Sequence, residues 1–260
     1  MLIDRMEVTD IKEVAEDIFE LKVCGDLASR VKEPGQFVHV QAAHSIDTLL
    51  RRPISICDVN RESRELTMIF RAEGKGTKRL AECRQGEELN VLGPLGNGFP
   101  IESCKPGGTA VLVGGGVGVP PLYYLSRQLK KNGVNVIHVL GFANKQVSFY
   151  EKEFSELGPT RLATVDGSAG QKGFVTNVIE EHDITYDIMY ACGPVPMLKA
   201  LEANYSNKPL YLSLEQRMGC AIGACFACTC QTVDPNDEKG YRKVCSDGPV
   251  FKAGEVILSC

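Results

Sequence analysis

No run of basic residues occurs in this 260-residue chain, and 29 lysines and arginines against 33 acidic residues leave a formal charge of −4. That balance argues against a nucleic-acid or anionic-membrane surface. A membrane helix is missing as well. The longest uncharged stretch, 106–126, is long enough to cross a bilayer, but it holds six glycines and three prolines, with Pro120 and Pro121 adjacent. Such a segment does not span as a helix. Acids and bases begin at Asp4 with no apolar segment ahead of a small-residue cleavage site, so no secretory leader is expected. Gly-x-Ser-x-Gly is absent, and no Ser/His/Asp arrangement stands out. His39, His44, His138 and His182 have no ligand spacing and read as surface or strand histidines. Internal repeats and low-complexity tracts are also missing.

What the chain does have is ordinary globular composition, 43% apolar and 24% charged, with length for about two domains. It also has eleven cysteines, an odd number, five of which (Cys220, Cys225, Cys228, Cys230 and Cys245) fall within 26 residues. Crowding of this kind points to a metal or cluster site in a reducing cytoplasm rather than a disulfide framework.

From Arg5 to about Leu92 apolar residues alternate in short runs, at 18–23, 36–40, 65–70 and 88–92, separated by turn formers such as Glu33-Pro-Gly35 and Gln85-Gly86. This spacing predicts an antiparallel barrel or sandwich. After Gly93-Pro-Leu-Gly-Asn-Gly98 the texture changes. Strand-like runs at 110–113, 134–141, 161–165, 187–191 and 210–214 alternate with helical patterns near 119–129, 148–157, 174–181 and 196–204. Alternation of strand and helix makes a doubly wound parallel α/β sheet. Beyond Glu215 the pattern stops, and about 45 residues with few apolar runs need an inorganic core to fold. The expected organisation is a β-barrel domain over 1–100, an α/β domain over 101–214 and a small cluster domain over 215–260.

Cys220-Ala-Ile-Gly-Ala-Cys225-Phe-Ala-Cys228, followed by Cys245 after sixteen intervening residues, has the C-x4-C-x2-C…C spacing of plant-type [2Fe–2S] sites. Small residues at Gly219, Ala221, Gly223, Ala224 and Ala227 let the loop wrap tightly, with backbone N–H groups free to point at sulfur. A four-cysteine zinc site or a set of structural thiols is the alternative, although zinc sites usually show two close C-x2-C pairs. Cys230 lies two residues after Cys228 and reads as a neighbour rather than a ligand.

Arg51-Arg-Pro-Ile-Ser55 ends a polar turn and starts a strand, where an arginine can clamp a phosphate or simply be solvated. Gly74-Lys-Gly-Thr77 opens a helix expected over 77–82, a second place for a phosphate. Gly114-Gly-Gly-Val-Gly118 follows a strand and precedes a helix without being the G-x-G-x-x-G fingerprint, so a tight strand–helix turn explains it equally well.

In their order, Arg52-Pro-Ile-Ser55, Gly74-Lys-Gly-Thr77, the 114–120 turn and Ala191-Cys-Gly-Pro194 resemble the ferredoxin–NADP⁺ reductase superfamily. With Met218-Gly-Cys220 and the cysteine tail, the whole chain resembles the family of electron-transfer subunits of class 1B dihydroorotate dehydrogenases. The resemblance implies FAD in the first domain, with Arg52 on the pyrophosphate, Pro53, Ile54 and Ser55 lining the isoalloxazine, and Gly76 and Thr77 on the phosphates. Ile69, Phe70 and Arg71 would complete that pocket. Gly114, Gly115, Gly116 and Gly118 would take NAD, with Cys192, Gly193 and Pro194 beside the nicotinamide. Asp166 would repel an adenosine 2′-phosphate and so favour NADH over NADPH, although an ordinary solvated turn residue explains it equally well, and Glu215 matches the superfamily's terminal Glu. Cys220, Cys225, Cys228 and Cys245 would hold the cluster. No catalytic acid or base is needed, because the cofactors carry the chemistry.

The resemblance further implies a partner, an FMN-containing catalytic subunit, in a heterotetramer that sends electrons from dihydroorotate to NAD⁺ in pyrimidine biosynthesis. A reductase component serving another acceptor, of hydrogenase, sulfite reductase or transhydrogenase type, shares every cofactor motif. A non-catalytic zinc or redox-sensing module is the alternative from another class.

Overall fold

Alternation buries one face of each short run, and the strands close on that face. A computed structural model of the chain describes residues 2–41 and 50–258; His44 lies outside them. Strands β1 (Leu2–Ala15), β2 (Ile18–Cys24), β3 (Phe37–Gln41), β4 (Arg52–Asn60), β5 (Glu65–Arg71) and β6 (Glu88–Leu95) form a closed antiparallel barrel in the order β1-β2-β5-β4-β3-β6. Its interior is filled by Met6, Val8, Leu21, Val38, Ile54 and Met68, among others. β1 is longer than any expected run, and only Met6 and Val8 in it are buried, so its alternation is faint in the sequence. Helix α1 (Lys75–Ala81) starts two residues before the expected Thr77. The Thr77 hydroxyl accepts from the Gly74 N–H (3.1 Å), which places Thr77 inside the first turn.

The second half is a sheet of β7 (Thr109–Gly115), β8 (Asn135–Phe142), β9 (Thr160–Thr164), β10 (Gln171–Lys172), β11 (Ile188–Cys192) and β12 (Leu210–Ser213), all parallel, ordered β10-β9-β8-β7-β11-β12. Helices α2 (Pro120–Lys131), α3 (Glu151–Ser155), α4 (Val175–Glu181) and α5 (Val195–Tyr205) supply the crossovers. α2 buries Leu122, Leu125 and Leu129 and takes prolines in its first turn, where no N–H is needed. Because β8 lies on one side of β7 and β11 on the other, the chain reverses direction across the sheet between β7 and β11. A crevice opens at the carboxyl ends of strands at such a switch point.

The tail forms a small hairpin, β13 (Thr229–Gln231) and β14 (Tyr241–Lys243), and then β15 (Val250–Lys252), which pairs antiparallel with β12 and extends the large sheet. The pattern that stops at Glu215 in the sequence therefore resumes in space. Asn97, after β6, holds the tail: its N–H donates to the Gly248 carbonyl (2.7 Å) and its Nδ2 to those of Ser246 (3.1 Å) and Asp247 (3.0 Å). A Cβ on Gly96, at φ +74°, would stand 2.5 Å from Pro249 Cδ.

Two patches on the outside of the barrel are buried by the other parts. Ile18, Cys57 and Ile69 pack with Val119, Leu122 and Leu125 on the α2 side, whereas Phe37 and Leu95 share a cluster with Cys228, Cys245 and Phe251. On the α2 side, the Arg127 guanidinium pairs with Asp58 and the Tyr150 hydroxyl donates to the buried Glu20 carboxylate.

Candidate functional site

The switch-point crevice is a cleft of about 600 Å³. Gly115 and Gly116 from the end of β7, Gly193 and Pro194 from the end of β11, Arg71 from the barrel and Glu215 from the chain after β12 all line it. Strand ends distant in sequence converge there because the parallel crossovers bring every carboxyl end to one edge. A Cβ on Gly115 would lie 2.7 Å from Met197 Sδ, and one on Gly118 would lie 2.4 Å from the Cys192 carbonyl oxygen. The glycines thus let the β7 turn sit directly on the end of β11. Gly114 has a packing role beneath it, where a Cβ would meet Val119 Cγ2 at 2.7 Å.

Cys192 is buried under the cleft, and burial raises its thiol well above the ordinary range. Burial also raises the Glu215 carboxyl. The residue as a whole is exposed, so the effect comes from the protein atoms crowding its carboxyl end in the cleft. Asp166 is not in the lining. It is exposed, one residue past Val165 of the cleft wall, and its Oδ1 accepts from the Ser168 hydroxyl (2.6 Å) and N–H (2.9 Å). Those bonds hold its carboxyl below the usual range. Phe142, Val147, Phe174 and Met197 also line the cleft and were not singled out in the sequence. Phe174 is 63% exposed, which the structure alone shows.

On the barrel side the expected flavin residues separate by face. Ile54 and Phe70 point into the barrel core, Phe70 stacking at 6.2 Å on Phe19. Strand alternation turns Pro53 and Ser55 the other way, as it does Ile69 and Arg71. Arg52, at the start of β4, reaches α1: a Cβ on Gly76 would lie 2.3 Å from Arg52 Nε. Arg52 Nη1 donates to the Leu50 carbonyl (2.6 Å). Its neighbour Arg51 is committed to the barrel, donating to the carbonyls of His39 (3.2 Å) and Asn90 (2.9 Å) and to Asn90 Oδ1 (2.6 Å). His39, paired with Pro53 across β3 and β4, is buried with neither ring nitrogen hydrogen-bonded among the described residues. Burial, then the charge of Arg51, bring it down to about 4.

In the tail, the loop 220–228 wraps around its own sulfurs. The N–H groups of Ile222 (3.5 Å), Ala224 (3.3 Å) and Cys225 (3.3 Å) donate to Cys220 Sγ. That of Gly223 donates to Cys245 Sγ (3.2 Å), and that of Cys245 to Cys228 Sγ (3.4 Å). Burial pulls the Cys220 thiol upward, but these N–H groups bring it down to about 7. Burial and contact with Cys228 push Cys245 up to about 12. Cys230 turns away, its thiol donating to the Arg242 carbonyl (3.6 Å) across the hairpin. The five bonds reach the sulfurs of Cys220, Cys228 and Cys245, and N–H···S bonds of this kind are what a protein shell supplies to an iron–sulfur cluster.

Comparison with known proteins matches residues 215–257 to the iron–sulfur cluster binding domain of dihydroorotate dehydrogenase B and residues 112–203 to an oxidoreductase NAD-binding domain. The electron transfer subunit of dihydroorotate dehydrogenase B (NAD(+)) from Bacillus cereus is 58% identical over 253 residues, which is 97% of this chain and 98% of that protein. The Bacillus anthracis subunit of the same description is equally similar over the same shares. Among solved structures, an NADH-dependent reduced ferredoxin–NADP oxidoreductase superposes with a TM-score of 0.86 at 30% identity, covering 97% of this chain and 90% of its own. The Amycolatopsis cytochrome P450 reductase, at 20% identity and a TM-score of 0.64 over 76% of this chain and 64% of its own, shares the fold. Similarity of that degree over nearly the full length, with the cysteine loop inside the matched region, leaves one conclusion: the chain belongs to the family of electron-transfer subunits of NAD⁺-dependent dihydroorotate dehydrogenase B.

Proposed function

We propose that the chain relays electrons from the FMN of a separate dihydroorotate dehydrogenase catalytic subunit, through a [2Fe–2S] cluster and FAD, to NAD⁺. In this reading it works in a cytoplasmic heterotetramer with two subunits of each kind, in pyrimidine biosynthesis. The observation that carries the reading is that one chain packs a cysteine loop with five N–H···S bonds against the same barrel whose Arg71 lines the glycine cleft. A reducing compartment suits thiolate ligands. The proposed division is FAD on 1–100, NAD on 101–214 and the cluster on 215–260, with β15 lent back to the sheet.

The residues fit these groups. Cys220, Cys225, Cys228 and Cys245 hold the cluster, and Cys230 does not. The orphaned ring nitrogens of His39 lie next to Pro53, on the face proposed for the flavin, and provide polar atoms that a ligand there would satisfy. Arg52, with Gly76 and Thr77, holds the FAD phosphates. Pro53, Ser55 and Arg71 meet the flavin through side chains, and Ile54, Phe70 and Ile69, whose side chain packs on the α2 side, through their backbone. Gly115 and Gly116 let the NAD pyrophosphate approach the β7 turn, on a frame set by Gly114 and Gly118. Gly193 and Pro194 flank the nicotinamide, with Cys192 beneath. Asp166, fixed as an anion by Ser168, favours NAD over NADP. When bound, FAD exchanges a hydride with NAD, and the cluster moves one electron at a time. The protein contributes position and the exclusion of water.

The exposed side chains of Ile222 and Phe226 flank Cys225 and suit a docking face for the catalytic subunit. The deciding experiment mixes the anaerobically purified chain with that FMN-containing subunit, dihydroorotate and NAD⁺. NADH forming only with both chains present is the expected result. The 30% identity to the ferredoxin–NADP oxidoreductase favours a second reading, a reductase for another acceptor. Flavin reducible by NADH, without dihydroorotate-dependent NADH formation, would select it.

A further inference from the structure

One charged side chain joins both stretches that carry the cysteines. Lys243 ends β14, two residues before Cys245. Its Nζ donates to the Gly223 carbonyl at 2.6 Å, inside the loop between Cys220 and Cys225. The same ammonium stands 3.6 Å from the centroid of the Phe226 ring, which also contacts Tyr241 at 5.6 Å. Gly223 in turn donates its N–H to Cys245 Sγ, so the bond to Lys243 closes a circuit between the loop and the turn bearing the fourth cysteine. The backbone of Lys243 anchors that turn: its N–H donates to Asp247 Oδ2 (2.7 Å), and its carbonyl accepts from Ser246 (3.1 Å), Asp247 (2.8 Å) and Gly248 (3.3 Å). Gly223 is itself at φ +81°, where a side chain is strained. Its neighbour in β14, Arg242, is committed to Asp237 and Glu255.

We propose that Lys243 is a positioning residue that clamps the cysteine loop to the Cys245 turn and, through its charge, raises the reduction potential of the iron–sulfur site. The inference rests on the electron-transfer reading above. Uptake of one electron makes the site one unit more negative, and a fixed ammonium beside the ligand loop favours that form. Donation to the Gly223 carbonyl polarises the peptide chain whose next N–H groups point at Cys220, reinforcing the same preference. The cation–π contact holds the ammonium in place while Phe226 stays accessible.

Two effects of removing Lys243 have opposite signs. Loss of the charge lowers the potential, whereas loosening of the loop admits water and raises it. The test is an EPR-monitored redox titration of the full chain, with wild type, Lys243→Arg, Lys243→Gln and Lys243→Met compared. Gln keeps a donor for Gly223 without charge, so it isolates the electrostatic part and remains informative if Met fails to assemble. The expected result is a potential near wild type for Arg and a lower one for Gln, with iron lost to a chelator faster in Met than in Arg. A potential in Lys243→Gln equal to or above wild type would overturn the proposal. Wild-type protein lacking the [2Fe–2S] signal would instead sink the underlying cofactor reading, which keeps the two failures apart.

Discussion

A side chain at position 76 would overlap the Arg52 guanidinium, so the glycine and the arginine serve one purpose: they put a full positive charge against bare backbone at the start of α1. Arg52→Ala removes that charge and is expected to weaken FAD retention by ~1.5–3 kcal/mol, as loss of a charged hydrogen bond does. Flavin content after gel filtration measures it. The cysteines divide as sharply. Cys225 lies in the loop and donates its N–H to Cys220, whereas Cys230 spends its thiol on the Arg242 carbonyl. Cys225→Ser should therefore lose the visible cluster spectrum and loosen the tail, because ligand binding and folding are coupled there. Cys230→Ser should keep the spectrum. The cysteine spacing was legible in the sequence because coordination chemistry favours a fixed residue type and interval, and the structure gathers Cys220, Cys228 and Cys245 into one N–H···S network. The face shown by each residue expected at the flavin was not legible: Ile54 and Ser55 are neighbours in sequence but lie on opposite sides of a barrel wall, and only closure of the barrel says which side is inside.

Among the elements, β8 and α2 illustrate a polar contact carried inside a hydrophobic layer. His138 on β8 is fully buried, its Nε2 2.8 Å from Ser126 Oγ on α2 and its Nδ1 3.0 Å from Thr160 Oγ1 on β9. Burial lowers its pKa to about 4 from 6.5. The unfolded chain thus takes up the proton first as pH falls. Stability is full above about 6.5 and is lost progressively down to about 4, by on the order of 3 kcal/mol from this residue. Denaturant midpoints at pH 7.5 and pH 5 check this, and the dependence should flatten in His138→Asn. The long periodic elements, β7, α2 and β8, could be read from the sequence because local patterning alone specifies them. β15 could not, since three residues within a cysteine-rich tail become a strand only when the open edge of β12 is there to receive them. The cleft wall was hidden for a related reason: Phe142, Phe174 and Met197 meet only after three separate crossovers have been made.

For the molecule as a whole, how the glycine cleft sits against the barrel depends on the seam between the two large units. Tyr150, held at φ +64°, reaches across it to Glu20, which is also paired with Lys12 at 3.0 Å, and the Glu16 N–H bonds the Gln146 carbonyl at 2.9 Å. Tyr150→Phe leaves a buried carboxylate short of a donor, at a cost of about 1–3 kcal/mol. It should lower the unfolding midpoint and slow flavin reduction by NADH in anaerobic stopped-flow, with flavin and iron content unchanged. The far end of the molecule is tied differently, by a strand from the tail laid along the large sheet. A chain cut after Leu214 would expose the row of N–H and C=O groups along Tyr211, Leu212 and Ser213, an invitation to pair with a second copy. The iron–sulfur segment is therefore no cassette to be exchanged between reductases. During synthesis the sheet edge stays open until the cysteine loop has already passed, so the last strand closes the sheet only after Cys220, Cys225, Cys228 and Cys245 have all been made.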